Sequence, residues 1–543
     1  MSSQCPTQNC ARHQVSLPYS TTALAPPSFP SQPGSSILID CRSEDSLTEE
    51  NHARCWTGKK LTNRRQREAI LIDMLPDDVL LEIFDFYVDE CLRRFFLSLH
   101  PPKNDVEGWQ TLVHVCRRWR RVVFGSPRRL NLRLVCTQRT PARDTLDVWP
   151  SLPLLIQDSY LSTEDGADNI IAGLERSDRV VKIHIHHIYG SEFENVLPAM
   201  QVPFPELTVL QFGSSNKGMV SVLPDSFLGG SAPRLQDLWL DRIPFPGLSK
   251  LLLSTTHLVT LQLWHIPHSG YISPDTIATA LSTLTSLDDL ELEFESPRSR
   301  PDWATRRPPP QTRSVLPVLR HFGFKGVCEY LEDFVAYIDA PRLDDLGVTF
   351  FNQIVFDTPQ FIQFITRTPI WETFEKANVV FEYGVATVNL SSRTPGHGNL
   401  TVTILCIEFD WQVSSMEQVC TLCLPPLSTL EDIYIYESRR SQPDRQDNIE
   451  NMLWLELLHP FTSAKNLYLS KGFASRIGPA LQELVGGRAT VVLPTLQNIF
   501  LEGLQPSGTV QEGIQKFVAA RQVTSHPIAV SHWDGSRGKY RYY

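Results

Sequence analysis

The feature that most constrains this chain is a short phrase that keeps returning along it: an apolar residue at i, i+3 and i+5, with polar residues between. It is clearest as Leu235, Leu238 and Leu240 in PRLQDLWLDRI, Leu258, Leu261 and Leu263 in THLVTLQLWHI, and Leu287, Leu290 and Leu292 in TSLDDLELEF. Alternation between i+3 and i+5 is the period of a strand that buries one face. The segments between copies, such as FPGLSKLLLST and SPDTIATALSTL, carry apolar residues at helical spacing instead. One short strand and one short helix cannot cover their own apolar faces, so such units must stack on one another.

Weaker copies start at Val180, Leu207, Leu319, Leu343, Val402, Leu430, Ala464 and Leu496, and the poorest, FEKANV, at Phe374. Neighbouring starts lie roughly 23 to 34 residues apart, near the period of leucine-rich units. A regular Asn after the strand is missing from most copies, and proline often precedes it as a turn marker (FPEL, APRL, LPTL). The expected fold class is therefore an α/β solenoid, an irregular leucine-rich-repeat horseshoe over 178–505. Residues 506–543 are left as a C-terminal cap or tail, and 131–177 as a connecting segment. A Pro- and Arg-rich stretch, Glu295 to Arg313, interrupts the repeats and reads as a surface insertion.

Upstream the character is different. Residues 1–66 are rich in Ser, Pro, Gln, Thr and Asn and end in the basic run KKLTNRRQR (Lys59 to Arg67). Such a segment buries too little apolar surface to offset its ordering entropy, so a disordered N-terminal segment is expected. From Ile70, LIDMLPDDVLLEIFDFYVDE sets Leu75, Val79, Leu80, Ile83, Phe84 and Tyr87 on one helical stripe. Pro76 suits a first helical turn, and Asp77 and Asp78 favour the positive end of the helix dipole. A second helix is expected from near Trp109 through WQTLVHVCRRWRRVVF, with Leu112, Val115, Cys116, Trp119, Val122 and Val123 at steps of three and four. Arg117, Arg118, Arg120 and Arg121 take the remaining faces, and Gly125 with Pro127 ends the helix. The arginines are then a solvated face, with Asp77, Asp78 and Glu82 as expected ion-pair partners.

The pairing of LPDDVLLEIF with VCRRWRRVV, followed by degenerate repeats, resembles an F-box protein. In particular it is similar to the large F-box and leucine-rich-repeat family of mushroom-forming fungi, in which phrases like SPRRLNLRL and WPSLPLLI follow the box. The F-box match covers about residues 70–130. The resemblance implies a small all-α module that docks on the Skp-type adaptor of a cullin-based ubiquitin ligase, while the repeats capture a protein substrate. It assigns adaptor binding to Leu75, Pro76, Val79, Leu80, Ile83 and Phe84, and to Val115, Cys116, Trp119, Val122 and Val123. The chain departs from the pattern in spacing, since about twenty residues from Asp89 to Gly108 separate the two halves.

Other chemistries leave little trace. A formal net charge of −10 argues against a chain that coats nucleic acid. No phosphate-binding glycine loop occurs, because CWTGKKLT carries Ala53 where the first glycine would stand, and no hydrolase or metalloprotease motif is present. His184, His186 and His187 in VVKIHIHHIYG alternate with Ile183 and Ile185 and read as outward histidines rather than metal ligands. Cys420 and Cys423 form a lone C-x-x-C and read as packing thiols. Trp239, between Leu238 and Leu240, should face outward on the concave side as a candidate substrate anchor or as a shield over neighbouring strands. Without a signal peptide or a long apolar run, a cytoplasmic or nuclear location is expected. The reading is a nonenzymatic adaptor with no cofactor or metal, its partners the Skp-type adaptor, a cullin-based ligase and a protein substrate, with no nucleic acid and no membrane. The rival readings are a leucine-rich interaction scaffold with a vestigial F-box, a hydrolase or transferase hidden on the solenoid, and a nucleic-acid binder.

Overall fold

In the computed structural model the described residues are 74–97, 108–139, 142–158, 167–188, 190–214, 222–301, 312–353, 356–368, 374–392, 398–425, 427, 429–437, 449–484, 488, 490–503 and 509–534. Two compact units are distinguished, Met1–Pro76 and Asp77–Tyr543. The expected disorder of 1–66, the basic run Lys59–Arg67 and residues 302–311 of the Pro- and Arg-rich insertion lie outside the described residues.

The second unit opens with three helices: α1 (Asp77–Leu97), α2 (Gly108–Val115) and α3 (Arg117–Gly125). The single helix expected from Trp109 onward is two helices. Cys116 breaks it in an extended conformation (φ −157°, ψ 169°) and caps α3, its Sγ accepting the Trp119 N–H at 3.4 Å. A thiol that accepts at the N-cap meets one of the four donors a helix start leaves open. The single apolar stripe drawn through Leu112, Val115, Cys116 and Trp119 therefore does not exist as one face.

The main body is a sheet, sixteen-stranded among the described residues, built from β1 (Leu134–Cys136), β2 (Leu154–Gln157), β3 (Val180–Ile188), β4 (Val209–Ser214), β5 (Asp237–Asp241), β6 (Thr260–Ile266) and β7 (Asp289–Phe294). It continues through β9 (His321–Gly326) and β11 (Asp345–Phe351), while β8 (Ser314–Val315) and β10 (Ile338–Asp339) pair separately. The remaining strands are β12 (Lys376–Glu382), β13 (Val385–Ser391), β14 (Asn399–Leu405), β15 (Asp432–Glu437), β16 (Asn466–Leu469), β17 (Asn498–Glu502) and β18 (Ala529–Trp533). From β1 to β11, β8 and β10 apart, neighbouring strands pair in parallel, with shifts of register at β2–β3, β3–β4 and β6–β7, and the leucines align, Leu238 with Leu261 and Leu261 with Leu290. The i, i+3 and i+5 leucines of these three units are all nearly inaccessible to solvent. The parallel sheet reaches beyond 178–505 at both ends, to Leu134 within the presumed connecting segment and to Trp533 within the presumed tail.

One departure changes the topology. After β11 the chain skips ahead to β12, turns back through Tyr383–Gly384 into antiparallel β13, and returns along β14 beside β11, so the spatial order is β11-β14-β13-β12-β15. Gly384 takes φ +77° in that two-residue turn, a conformation open to glycine at little cost. The phrase read at Val402 fails here. Leu400, Val402 and Ile404 point into the core, whereas Leu405 is half-buried and Ile407 exposed. The strand starts at Asn399, and its two-residue parity, not the i, i+3, i+5 spacing of VTILCI, decides which side chains are buried.

Neighbouring units are also tied by polar side chains, half-buried at Arg179 and buried at Arg521 and Glu332. Arg179, just before β3, donates Nε and Nη2 to the Leu152 carbonyl before β2 at 3.0 and 2.8 Å. Arg521 repeats the device near the other end, its Nη2 donating to the carbonyls of Pro494 and Leu496 at 3.1 and 3.2 Å. Glu332, 3% exposed on the helix Cys328–Tyr337, accepts the N–H groups of Gln360 (2.9 Å) and Phe361 (2.7 Å) at the start of the next helix, Pro359–Thr366.

Candidate interaction surfaces

The eleven residues assigned to adaptor binding divide between an inner and an outer face. On α1, Leu80, Phe84 and Val88 follow an i, i+4, i+8 row and are buried, with Phe84 4.7 Å from the Trp119 ring. Val122 and Val123 of α3 are buried as well, and Cys116 and Trp119 are half-buried. These residues form the core of the three-helix module. The outer row of α1 is Val79 (38% exposed), Ile83 (49%), Phe86 (77%) and Tyr87 (39%), and on α2 Val115 is exposed as well (57%). Val115 thus belongs to the surface, contrary to the stripe that would have buried it. Phe86 was missed although its spacing, i+3 from Ile83 and i+7 from Val79, puts it on the same side of the helix. Leu75 and Pro76 form the bend that ends the first unit.

The arginines of α3 and the following turn hold α1 from the side. Arg118 pairs with Asp77 at 2.7 Å and Arg129 pairs with Glu82, both in exposed settings where such pairs contribute little net stability. The module is continuous with the sheet: Trp109 donates Nε1 to the Arg133 carbonyl at 2.9 Å beside β1, and its ring meets Trp149 at 5.2 Å.

The second surface is the open face of the sheet, opposite the buried leucines. Its middle row is the residue at i+4 of each phrase. On β3 to β7 the row reads His184, Gln211, Trp239, Gln262 and Glu291, aligned by strand register. Trp239 faces outward as expected, half-buried, with His186 at 4.8 Å and Trp264 at 5.5 Å. A side chain at Gly213 would meet its ring at 3.0 Å, so Trp239 also covers β4. Trp264 donates its indole N–H to the Glu291 carboxylate. Burial raises the carboxyl pKa of Glu291 and Asp289 above the ordinary range, and Asp289 and Glu293 add to this at Glu291.

His184 bonds Gln211 at 2.9 Å and lies 6.5 Å from His186, ring to ring. Burial lowers its pKa, and His186 and Lys182 push the same way, so the ring is neutral above its lowered value. The His187 side chain lies outside the described residues. Among the described residues no three His, Cys, Asp or Glu groups come together as metal ligands. Cys420 and Cys423 are free and buried on the turn Val419–Cys423. Burial pushes the Cys423 thiol up to about 12 and that of Cys420 higher still, which leaves both protonated and unreactive at neutral pH.

At the far end the same i+4 row becomes aromatic. Tyr434, Tyr468 and Phe500 stack nearly parallel, with centroids 4.2 and 4.4 Å apart. This ladder was legible as the middle letter of DIYIY, NLYL and NIFL, the position already singled out at Trp239. Val380, Tyr436 and Trp533 pack with it.

The architecture is that of a leucine-rich-repeat-like α/β solenoid. No family model matches the chain, and no curated protein matches it. Neither comparison therefore supports the F-box resemblance or the fungal one. Among solved structures the chain is similar to the leucine-rich repeat-containing protein LegL7 from Legionella pneumophila, at 12% identity and a TM-score of 0.24 over 71% of this chain and 97% of that one. Among the described residues no helix is long and apolar enough to cross a membrane.

Proposed function

We propose that this chain is an F-box-type substrate-recognition adaptor of a cullin-based ubiquitin ligase. It docks on the Skp-type adaptor through the outer face of α1 and binds a protein substrate on the open strand face, in the cytoplasm or nucleus. One observation carries the reading: the small helical module completes its core with Leu80, Phe84, Val122 and Val123 and still leaves Val79, Ile83, Phe86 and Tyr87 exposed on α1, with Val115 exposed on α2. An exposed apolar row along one side of a helix marks a protein-binding face, and an amphipathic partner helix fits it. Function then needs no acid, base or nucleophile in this chain, because holding a substrate beside a ubiquitin-conjugating enzyme acts through effective concentration.

The test is co-purification of the full chain with a Skp-type adaptor. The intact chain binds, and Ile83→Asp with Phe86→Asp abolishes binding without altering the unfolding curve. Failure of the intact chain to bind would overturn the proposal.

A second reading has its own support. Trp109 and Trp149 fuse the module to the first strand, so the helices also serve as an end cap of the sheet. An interaction scaffold without a ligase role needs nothing more from them.

A further inference from the structure

At the C-terminal end of the open face, one side chain lies on the aromatic ladder from outside it. Among the described residues β18 is the last strand of the sheet, and Ala529, Val530, Ser531 and His532 are all exposed, whereas Trp533 is 6% exposed. The Trp533 ring meets Tyr434 at 5.9 Å and Tyr468 at 5.7 Å, inclined by 60° and 69°. The ladder rings are parallel, so the ladder presents ring edges, and ring edges favour the face of another ring over an aliphatic group. Two buried donors in this place have no acceptor: the Trp533 indole N–H and the Asn378 side-chain amide, which register sets beside Tyr434 on the same face. A buried donor left unpaired penalises the state that contains it.

We propose that Trp533 is a tethered occupant of a seat for an aromatic side chain. An aromatic residue on an extended segment of a protein ligand takes that seat, displacing the indole and loosening β18. The seat is specified by Val380, Tyr434, Tyr436, Tyr468 and Phe500, with Asn378 offering its amide to a backbone carbonyl of the incoming segment. The wall is aromatic and aliphatic, so the preferred ligand residue is uncharged. The proposal rests on the reading of the open face as the protein-binding face and adds the class of residue recognised there.

The probe is N-acetyl-L-tryptophanamide, which carries an indole and two carbonyl acceptors, with N-acetyl-L-leucinamide as control, both observed by ligand NMR on the full chain. Trp533→Ala empties the seat and binds the tryptophan probe at least about tenfold more tightly than the parent, the gain expected when a self-ligand filling nine-tenths of the sites is removed. The leucine probe gains nothing, and adding Tyr468→Ala removes the gain. A folded Trp533→Ala chain that binds the probe no better than the parent overturns the proposal. If that variant fails to fold, hydrogen exchange on the parent decides. Amides of β18 exchanging at least about tenfold faster than those of β17 support a displaceable strand, and equal protection overturns it. Neither measurement involves the Skp-type adaptor, so a failed seat and a failed adaptor reading give separate results.

Discussion

Replacing Glu332 by Ala should open one joint of the solenoid, and the structure sets the size of the effect. The helix Pro359–Thr366 begins without a local cap. Thr358 makes no capping bond, its hydroxyl donating instead to the Leu422 carbonyl at 3.2 Å, and Pro359 has no N–H to offer. The next two donors, on Gln360 and Phe361, both end on the Glu332 carboxylate, which is brought from the preceding unit. A hydrogen bond to a charged acceptor contributes about 1.5–3 kcal/mol. A negative charge at a helix N-terminus adds about 0.3–1 kcal/mol, and more where partly buried. Because the two bonds share one acceptor group and the site relaxes, Glu332→Ala is expected to cost about 3–5 kcal/mol, in the range for removing one partner of a buried charged interaction. Glu332→Gln keeps an acceptor oxygen but loses the charge, and about 1–3 kcal/mol is expected for it. Urea unfolding measures the total. Hydrogen exchange locates it, because units in a stacked array contact mainly their neighbours and the loss should concentrate in the amides of 360–366. An Ala variant within about 0.5 kcal/mol of the parent, the usual span for an inconsequential surface change, with unchanged protection there, would refute the capping role.

Two further outcomes follow from the same geometry. Burial raises the Glu291 and Asp289 carboxyls, so each holds its proton more tightly folded than unfolded, and stability falls as pH rises from the ordinary value of about 4 through the raised one; Glu291→Gln combined with Asp289→Asn should therefore raise the melting temperature at pH 7 and leave it unchanged near pH 3, and an equal gap at both pH values would contradict this. Phe84→Ala removes a fully buried ring from a module with little core and should cost about 3–5 kcal/mol locally; faster exchange in α3 than in β5–β7 checks it, and unchanged exchange in α3 would show that the Phe84–Trp119 contact does not hold the module.

What the sequence shows of this fold depends on which residues the backbone constrains. Wherever a strand enters and leaves in the parallel direction, i, i+3 and i+5 must be apolar, and the phrase was readable from Val180 to Leu496, even in FEKANV, where Phe374, Ala377 and Val379 are buried. It misled at Val402 because a strand that returns antiparallel owes nothing to the preceding turn, so only its alternation is informative. The extension to β1, β2 and β18 was hidden because these strands are short or exposed, and β18 shows almost no alternation of burial. In the helical module the periodicity gave the apolar residues but not which face of α1 each would take. That division depends on the break at Cys116, where a single residue in an extended conformation reorients everything after it. Glu332 and Arg521 carried no local signal, since their partners lie in the neighbouring unit.

The residue at i+4 is bound by none of these requirements, which is why its chemistry changes along the sheet. The row passes from Trp239 and Glu291 to two successive glycines, Gly323 and Gly347, and ends in Tyr434, Tyr468 and Phe500. A Cβ at Gly323 would stand 3.0 Å from the Glu291 side chain, whereas one at Gly347 would meet nothing within 4 Å. The first glycine therefore makes room for a neighbour that is already present, and the second leaves the face bare. Between the glycines and the aromatic ladder the reversed strands insert Thr401, Asn389 and Asn378, in an order opposite to the chain's. Asn389 donates to Thr401 Oγ1 at 2.8 Å, so these two residues are hydrogen-bonded to each other across strands, while the amide of Asn378, next to the aromatic ladder, stays open. The reversal thus does more than interrupt the repeat: it places a polar block, closed on itself at Asn389 and Thr401 and open at the Asn378 amide, between an acidic, tryptophan-bearing end and an aromatic end. If the open face binds a protein as proposed, a single extended ligand crossing all of it has to match both chemistries, so selectivity can change along the i+4 row without any change in the leucines that hold the units together.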